Sequence, residues 1–162
     1  MARQRAAEQT ELADGGLDQS RLTHLVGYAA SRASIELKKA FASHMAPLQL
    51  KAVEFSILAL VASNPGVNQK RIAQTLDISA PNMAITLDRL VERGWVERVR
   101  STCDRRAQQI HLTPKGRELE KRAGEIALAM EAEPLRMLSA AERALLIELL
   151  LKVATGKARA RT

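Results

Sequence analysis

Residues 68–94 read NQKRIAQTLDISAPNMAITLDRLVERG, and the fold turns on this stretch. Asn68 can cap a short helix of about ten residues that carries Ile72, Ala73 and Leu76 on its inner face. Asp77-Ile78 leaves room only for a tight link. Ser79 can cap the next helix, where Pro81 is tolerated in the first turn because its missing N–H would have no helical partner there. Gly94 ends that helix. Along it, Met83, Leu87 and Leu90 stand at i, i+4 and i+7 and should pack onto Ile72 and Leu76. Asn82, Thr86, Arg89 and Arg93 form a polar stripe beside them that can face outward. Two short helices joined by a tight turn, with one outward polar face, are the parts of a DNA-reading module.

Beyond Gly94 the texture changes. Trp95 to Arg100 and Ala107 to Thr113 alternate as strands do, with Ile110 and Leu112 on one face, and the polar stretch Ser101 to Arg106 joins them into a hairpin. Thr113-Pro114 then starts a helix, Thr as cap and Pro at the first position, predicted to run to about Met137. Ser139-Ala140-Ala141-Glu142 is a capping box for a last helix rich in leucine: Leu145, Leu146, Leu149, Leu150 and Leu151.

Upstream, Leu22, Leu25, Val26, Ala29, Ala33, Leu37 and Phe41 recur at helical spacing, which predicts one long first helix from Ser20 that ends before Pro47. A second helix is expected from about Leu48 to Ser63, closed by Asn64-Pro65-Gly66. Residues 1–18 mix charge, Ala and glycine without an apolar stripe and are expected to be a mobile arm. The reading divides the chain into that arm, a dimerisation helix (19–46), a DNA-binding domain (47–113), C-terminal dimerisation helices (114–157) and a basic tail (158–162).

Composition agrees. A chain of 162 residues can build one sizeable core. Aromatic residues are only 2% against 46% hydrophobic, so the core must be made of Ala, Leu, Val and Ile, which suits packed helices. The net charge of +7 favours a polyanionic partner. It is concentrated: residues 64–116 hold nine Lys or Arg against five acids, and the run from Lys152 adds Lys157, Arg159 and Arg161 with no acid. A lone cysteine, Cys103, excludes an intramolecular disulfide framework and fits a reducing cytoplasm. No signal sequence opens the chain and no apolar run approaches bilayer length, so a cytoplasmic protein without membrane partners is expected.

The expected duplex contacts are Asn82, Thr86 and Arg89, with Ser79, Ala80 and Pro81 in the leading turn. In a major groove Asn pairs with adenine, Arg with guanine, and Thr touches a thymine methyl or a phosphate. At the hairpin tip Asp104, Arg105 and Arg106 place two guanidinium groups beside a carboxylate. An arginine held there can enter a narrow minor groove while the carboxylate orients it.

Residues 68–113 and the Leu112-Thr113-Pro114-Lys115-Gly116 run after them, with Ile72-Ala73-Gln74-Thr75-Leu76, Met83 through Gly94 and Asp104-Arg105-Arg106 inside, resemble the signature of the MarR family. In helix order the likeness extends over nearly the whole chain after the arm. The resemblance implies a mainly α winged helix-turn-helix protein of six helices with a small β-hairpin wing. It also implies an intertwined homodimer through the first, fifth and sixth helices, two winged modules on a near-palindromic double-stranded DNA operator, and release by a small molecule. Arg106 then takes the place of the usual minor-groove probe and Arg105 the variable place.

For an effector, His24, Tyr28 and Arg32 fall at i, i+4 and i+8 of the expected first helix. A ring, a hydroxyl and a cation on one stripe could grip a small aromatic carboxylate, with Met45, Lys51 and Phe55 opposite. The texture is similar to family members that control breakdown of hydroxylated aromatic or heteroaromatic acids, hydroxynicotinate-like compounds among them. Cys103 beside the wing tip offers an alternative thiol-oxidation response, and a winged-helix protein-interaction module without ligand control is a second alternative. No enzyme and no cofactor are expected. His24, His44 and His111 lack metal-ligand spacing, no Gly-rich phosphate loop is present, and no nucleophile has a base nearby.

Overall fold

The computed structural model describes residues 17–100 and 108–156. The wing tip, with Cys103, Asp104, Arg105 and Arg106, lies outside the described residues, as do the arm before Leu17 and the tail after Gly156. The chain divides into two units between Lys39 and Ala40.

The first unit holds α1 (Ser20–Thr23) and most of α2 (Val26–Met45). The single long helix expected from Ser20 is therefore broken. At the break the N–H of Leu25 donates to the carbonyl of Leu22 at 2.9 Å, an i to i+3 bond in place of α spacing. The residues around the break are exposed, so no packed face enforces continuity across it. Leu22, Leu25, Val26 and Ile35 all present apolar surface to solvent.

The second unit carries the core. Ala46–Leu48 forms a single 3-10 turn, and α3 (Ala52–Ser63) begins later than the expected second helix. Gln49, between the two, takes a left-handed conformation that no helix could continue through. A two-residue strand β1 (Val67–Asn68) follows, then α4 (Gln69–Thr75), α5 (Ala80–Glu92), β2 (Val96–Arg100), β3 (Gln108–Leu112), α6 (Pro114–Met130) and α7 (Ala140–Thr155). The expected mainly helical architecture with a β-hairpin wing is what the chain adopts, with the hairpin part of a three-stranded antiparallel sheet in the order β1-β3-β2. Val67 sits opposite Ile110, and Arg98 opposite Ile110 from the other side. β1 was not expected, because two residues carry no alternation to read.

Caps set the boundaries. The Asn68 side chain accepts the N–H of Arg71 at 2.9 Å. Asn68→Ala is expected to cost about 1 kcal/mol of unfolding free energy in denaturant melts. The Ser139 hydroxyl accepts the N–H of Glu142 and the Glu142 carboxylate accepts the N–H of Ser139, the expected capping box. The N–H of Ser139 and then its hydroxyl, both donating to the Glu142 carboxylate at 2.8 Å, hold that carboxyl below its ordinary value. α6 stops at Met130 rather than about Met137. Pro134 explains the difference: its ring would clash with the carbonyl of Met130 and it has no N–H to give.

Met45, Ile57, Leu58, Ile72, Met83, Leu87, Leu90 and Ile110 are fully buried and form the centre of one cluster. α7 is different. None of its residues is buried, and Leu145, Ile147, Leu149, Leu150, Leu151 and Val153 are all exposed. No single described helix is long and apolar enough to cross a membrane.

Candidate nucleic-acid interface

α5 is held by its apolar side. Met83, Leu87 and Leu90 are fully buried against a cluster that includes Ile72, with Leu76 packed on it, as the spacing requires. The link from α4 closes through the N–H of Ile78, which donates to the carbonyl of Ala73 at 2.9 Å, with Asp77 left-handed. Asp is one of the residues that tolerates this conformation, because its short polar side chain can bond locally.

The opposite side of α5 faces out. Ser79, Ala80, Pro81 and Asn82 are exposed, and Thr86 and Arg89 are half-buried. Ser79 occupies the N-cap position with extended backbone, but the expected side-chain cap is absent: its hydroxyl makes no bond to the first turn of α5. Thr86 donates its hydroxyl to the carbonyl of Asn82 at 2.8 Å, which leaves its oxygen lone pairs and its methyl for other contacts. Ile85 is 58% exposed between these polar residues. Helical spacing alone does not mark it as outward, yet the inner face is already filled by Met83, Leu87 and Leu90. An outward apolar side chain on this face suits a thymine methyl.

Arg93 does not extend the outward stripe. Its Nη1 donates to the carbonyl of Gln49 at 2.8 Å, and its guanidinium carbon lies 3.5 Å from the ring centroid of buried Trp95. Behind it is Glu54 of α3, a carboxylate with no exposed surface. Arg93 Nη1 lies 3.7 Å from Glu54 Oε2, and Arg89 Nη1 lies 3.5 Å from Oε1. The sequence signal was a lone acid inside the apolar run Val53 to Val61.

The wing is fixed to the same helix. Arg98 of β2 pairs with Asp88 of α5 at 2.5 Å. At the wing base the Thr113 hydroxyl donates to the carbonyl of Gly94 at 2.7 Å and accepts the N–H of Gly116 at 3.0 Å. Gly94 adopts φ +69, the left-handed conformation that ends α5 without a Cβ clash. Lys115 adds its ammonium to the carbonyl of Arg93 at 3.1 Å, a cation on the negative end of that helix.

The expected effector residues divide between the two units, three in each. His24 lies in the break before α2, so it does not continue a helical stripe with Tyr28 and Arg32; its Nδ1 is 3.2 Å from the carbonyl of Ser20. The Tyr28 hydroxyl donates to Gln19. Arg32 is exposed. In the other unit Met45 is fully buried, Lys51 is exposed, and Phe55 stacks at a tilt on Phe41 with ring centroids 6.0 Å apart. A cleft of about 370 Å³ opens elsewhere, lined by Val61, Pro65, His111, Leu112, Arg117 and Lys121 among others, and contains none of these residues.

Comparison with known proteins agrees with this arrangement. The MarR family profile matches residues 48–107. The transcriptional repressor CouR superposes in its complex with a 23-mer DNA duplex at a TM-score of 0.81, 38% identical, over 86% of this chain and 99% of that one. In its complex with p-coumaroyl-CoA the TM-score is 0.76 at 36% identity, over 86% and 98%. The HTH-type transcriptional repressor Rv2887 of Mycobacterium tuberculosis is 29% identical over 118 residues, 73% of this chain and 85% of the relative. Its complex with salicylic acid superposes at a TM-score of 0.65, 28% identical, over 80% and 96%. A protein assigned to regulation of the hcr operon in Thauera aromatica is 31% identical over 96 residues, 59% of this chain, which spans 58% of that relative's length. On the match across the helix-turn-helix and wing, and the 38% identity to a repressor spanned almost end to end, the chain belongs to the MarR family of winged helix-turn-helix transcriptional regulators.

Proposed function

We propose that the protein is a sequence-specific repressor that binds a near-palindromic operator in the cytoplasm as a homodimer and is released by a small aromatic acid or its acyl thioester. The observation that carries this reading is α5 itself: a helix pinned by three fully buried side chains that turns Asn82, Ile85, Thr86 and Arg89 to solvent. A rigid helix with that face can enter a major groove, and the wing that follows can reach the neighbouring minor groove. Dimerisation is supported by α7, whose leucines lie on nearly every side. A helix apolar all round is stable in water only when another surface covers it. We assign residues 19–46 and 114–157 to that contact.

The effector class rests on the relatives. CouR is seen with p-coumaroyl-CoA and Rv2887 with salicylic acid, both hydroxylated aromatic rings bearing an acyl function. Because a ligand shifts a two-state balance only by its differential affinity, the effector must favour a separation of the two α5 helices other than the roughly 34 Å of one duplex turn. A thermal-shift screen with salicylate, 6-hydroxynicotinate and p-coumaroyl-CoA tests the class. A stabilising compound that leaves operator binding intact would contradict release.

DNA reading is tested by duplexes enriched from a random library on the full-length protein. The log of affinity is expected to fall linearly with log salt, with a slope of about −0.9 per phosphate contacted. Binding that ignores salt would point to a protein partner instead. Arg106→Ala is expected to weaken operator binding by about 1–3 kcal/mol through lost minor-groove contact. Unchanged affinity would remove Arg106 from the interface.

A further inference from the structure

Glu54 is the one fully buried ionisable side chain among the described residues, and the proposed reading has no use for it as yet. Its two oxygens are served unequally. Oε2 accepts the N–H of Lys51 at 2.9 Å and lies 3.7 Å from Arg93 Nη1. Oε1 is buried with no hydrogen-bond partner, and the cation facing it is Arg89, Nη1 at 3.5 Å. Burying a carboxylate with one oxygen unsatisfied is costly, and Arg89 is the cation within ion-pair distance that can offset the cost.

The two arginines differ in what else holds them. Arg93 is committed three ways, to Gln49, to the Trp95 ring and to Glu54. Among the described residues Arg89 has only Glu54, and it keeps 41% of its side-chain surface open to solvent. It stands two helical turns after Asn82, on the same outward face of α5. One edge of its guanidinium therefore faces a fixed buried charge while the rest of the fork faces outward.

We propose that Glu54 is a positioning residue that aims Arg89 at the duplex, so that sequence discrimination by Arg89 depends on a carboxylate that never touches DNA. A free arginine on a helix surface samples many rotamers and behaves toward DNA as a mobile charge, drawn to whatever phosphate is near. Held from behind, it presents its donors in one orientation, which a bidentate contact to a base edge requires. The same pairing offsets its charge, so Arg89 adds less to phosphate binding than its formal charge implies. The inference rests on the DNA-binding reading above.

The test uses full-length dimer, the enriched duplex and a scrambled duplex of equal composition, with wild type, Glu54→Gln, Arg89→Ala and the double variant. Glu54→Gln keeps the shape and removes the charge. It is expected to weaken the enriched duplex about tenfold, leave the scrambled one equal or tighter, and steepen the salt slope by up to about one phosphate equivalent. The double variant is expected to bind the enriched duplex no worse than Arg89→Ala alone. Glu54→Asp, which keeps the charge on a shorter arm, should restore part of the discrimination. A purely structural role for Glu54 would weaken both duplexes alike and add to Arg89→Ala in the double variant, and either result overturns the proposal. Arg89→Ala without effect on the enriched duplex overturns it as well. If wild type enriches no duplex at all, the DNA-binding reading itself has failed, which is a different outcome from additivity in variants of a protein that does bind.

Discussion

Gly116→Ala is expected to lower the unfolding free energy by about 2–4 kcal/mol, a fall in melting temperature of roughly 6–12 °C for a chain of this size. Gly116 lies in the first turn of α6, where a Cβ would stand 1.9 Å from the carbonyl oxygen of Trp95 and 2.8 Å from its carbonyl carbon. Both are backbone atoms, so no side chain can swing away. The same carbonyl oxygen accepts the N–H of Thr113 at 3.1 Å, so moving it disturbs the bond that ties the N-cap of α6 to the wing base. The loss should appear as a lower denaturant midpoint with an unchanged slope. A variant that melts within a degree of wild type would show that the approach of α6 to the wing base is looser than the structure has it.

Replacing Leu145 and Leu149 together by Asp is expected to convert the protein to monomers and to weaken operator binding about 100-fold or more. The two residues lie one turn apart on α7 and are about half exposed, 52% and 49%. Because no residue of α7 is buried within the protomer, the substitution leaves the protomer's own core intact. In a dimer each leucine would contribute about 1.5–3 kcal/mol on burial, and the change is made twice by symmetry. Two linked reading modules gain about 10²–10⁴ in avidity over one, and that gain goes with the dimer. Sedimentation velocity reads the oligomeric state and fluorescence anisotropy the affinity. Dimers that bind normally would place the interface elsewhere.

Those features of the fold that depend on a few adjacent residues were legible in the sequence. Asn68, Thr113 and Ser139 cap helices because a side-chain oxygen three residues before a free N–H is a local fact. Gly94 ends α5 for an equally local reason. Leu87 and its neighbours declared the buried face because helical spacing repeats over several turns. Features that depend on distant partners were not legible. β1 exists only because β3 lies beside it. Arg93 has the spacing of an outward residue, but Trp95, Gln49 and Glu54 together draw it back, and nothing within the helix announces them. The break after Thr23 separates His24 from Tyr28 and Arg32, and periodicity, which counts residues without weighing their burial, runs straight across it. Pro134 stops α6 at Met130, while the apolar pattern itself continues past it to Met137. The outward face of α5 was readable to within one residue, Ile85, since a filled inner face leaves an extra apolar side chain nowhere to go but out.

The joint at Thr113 has a mechanical meaning. One hydroxyl clasps the carbonyl of Gly94, just past the end of α5, and the first turn of α6 at once, while Gly116 lets the two backbones touch with no cushioning side chain between them. A pull on the leading end of α6 therefore tows the tail of α5 and the root of the wing along with it. Such a coupling behaves as a crank with little play: a displacement arriving through α6 is passed to the end of α5 and the root of the wing together.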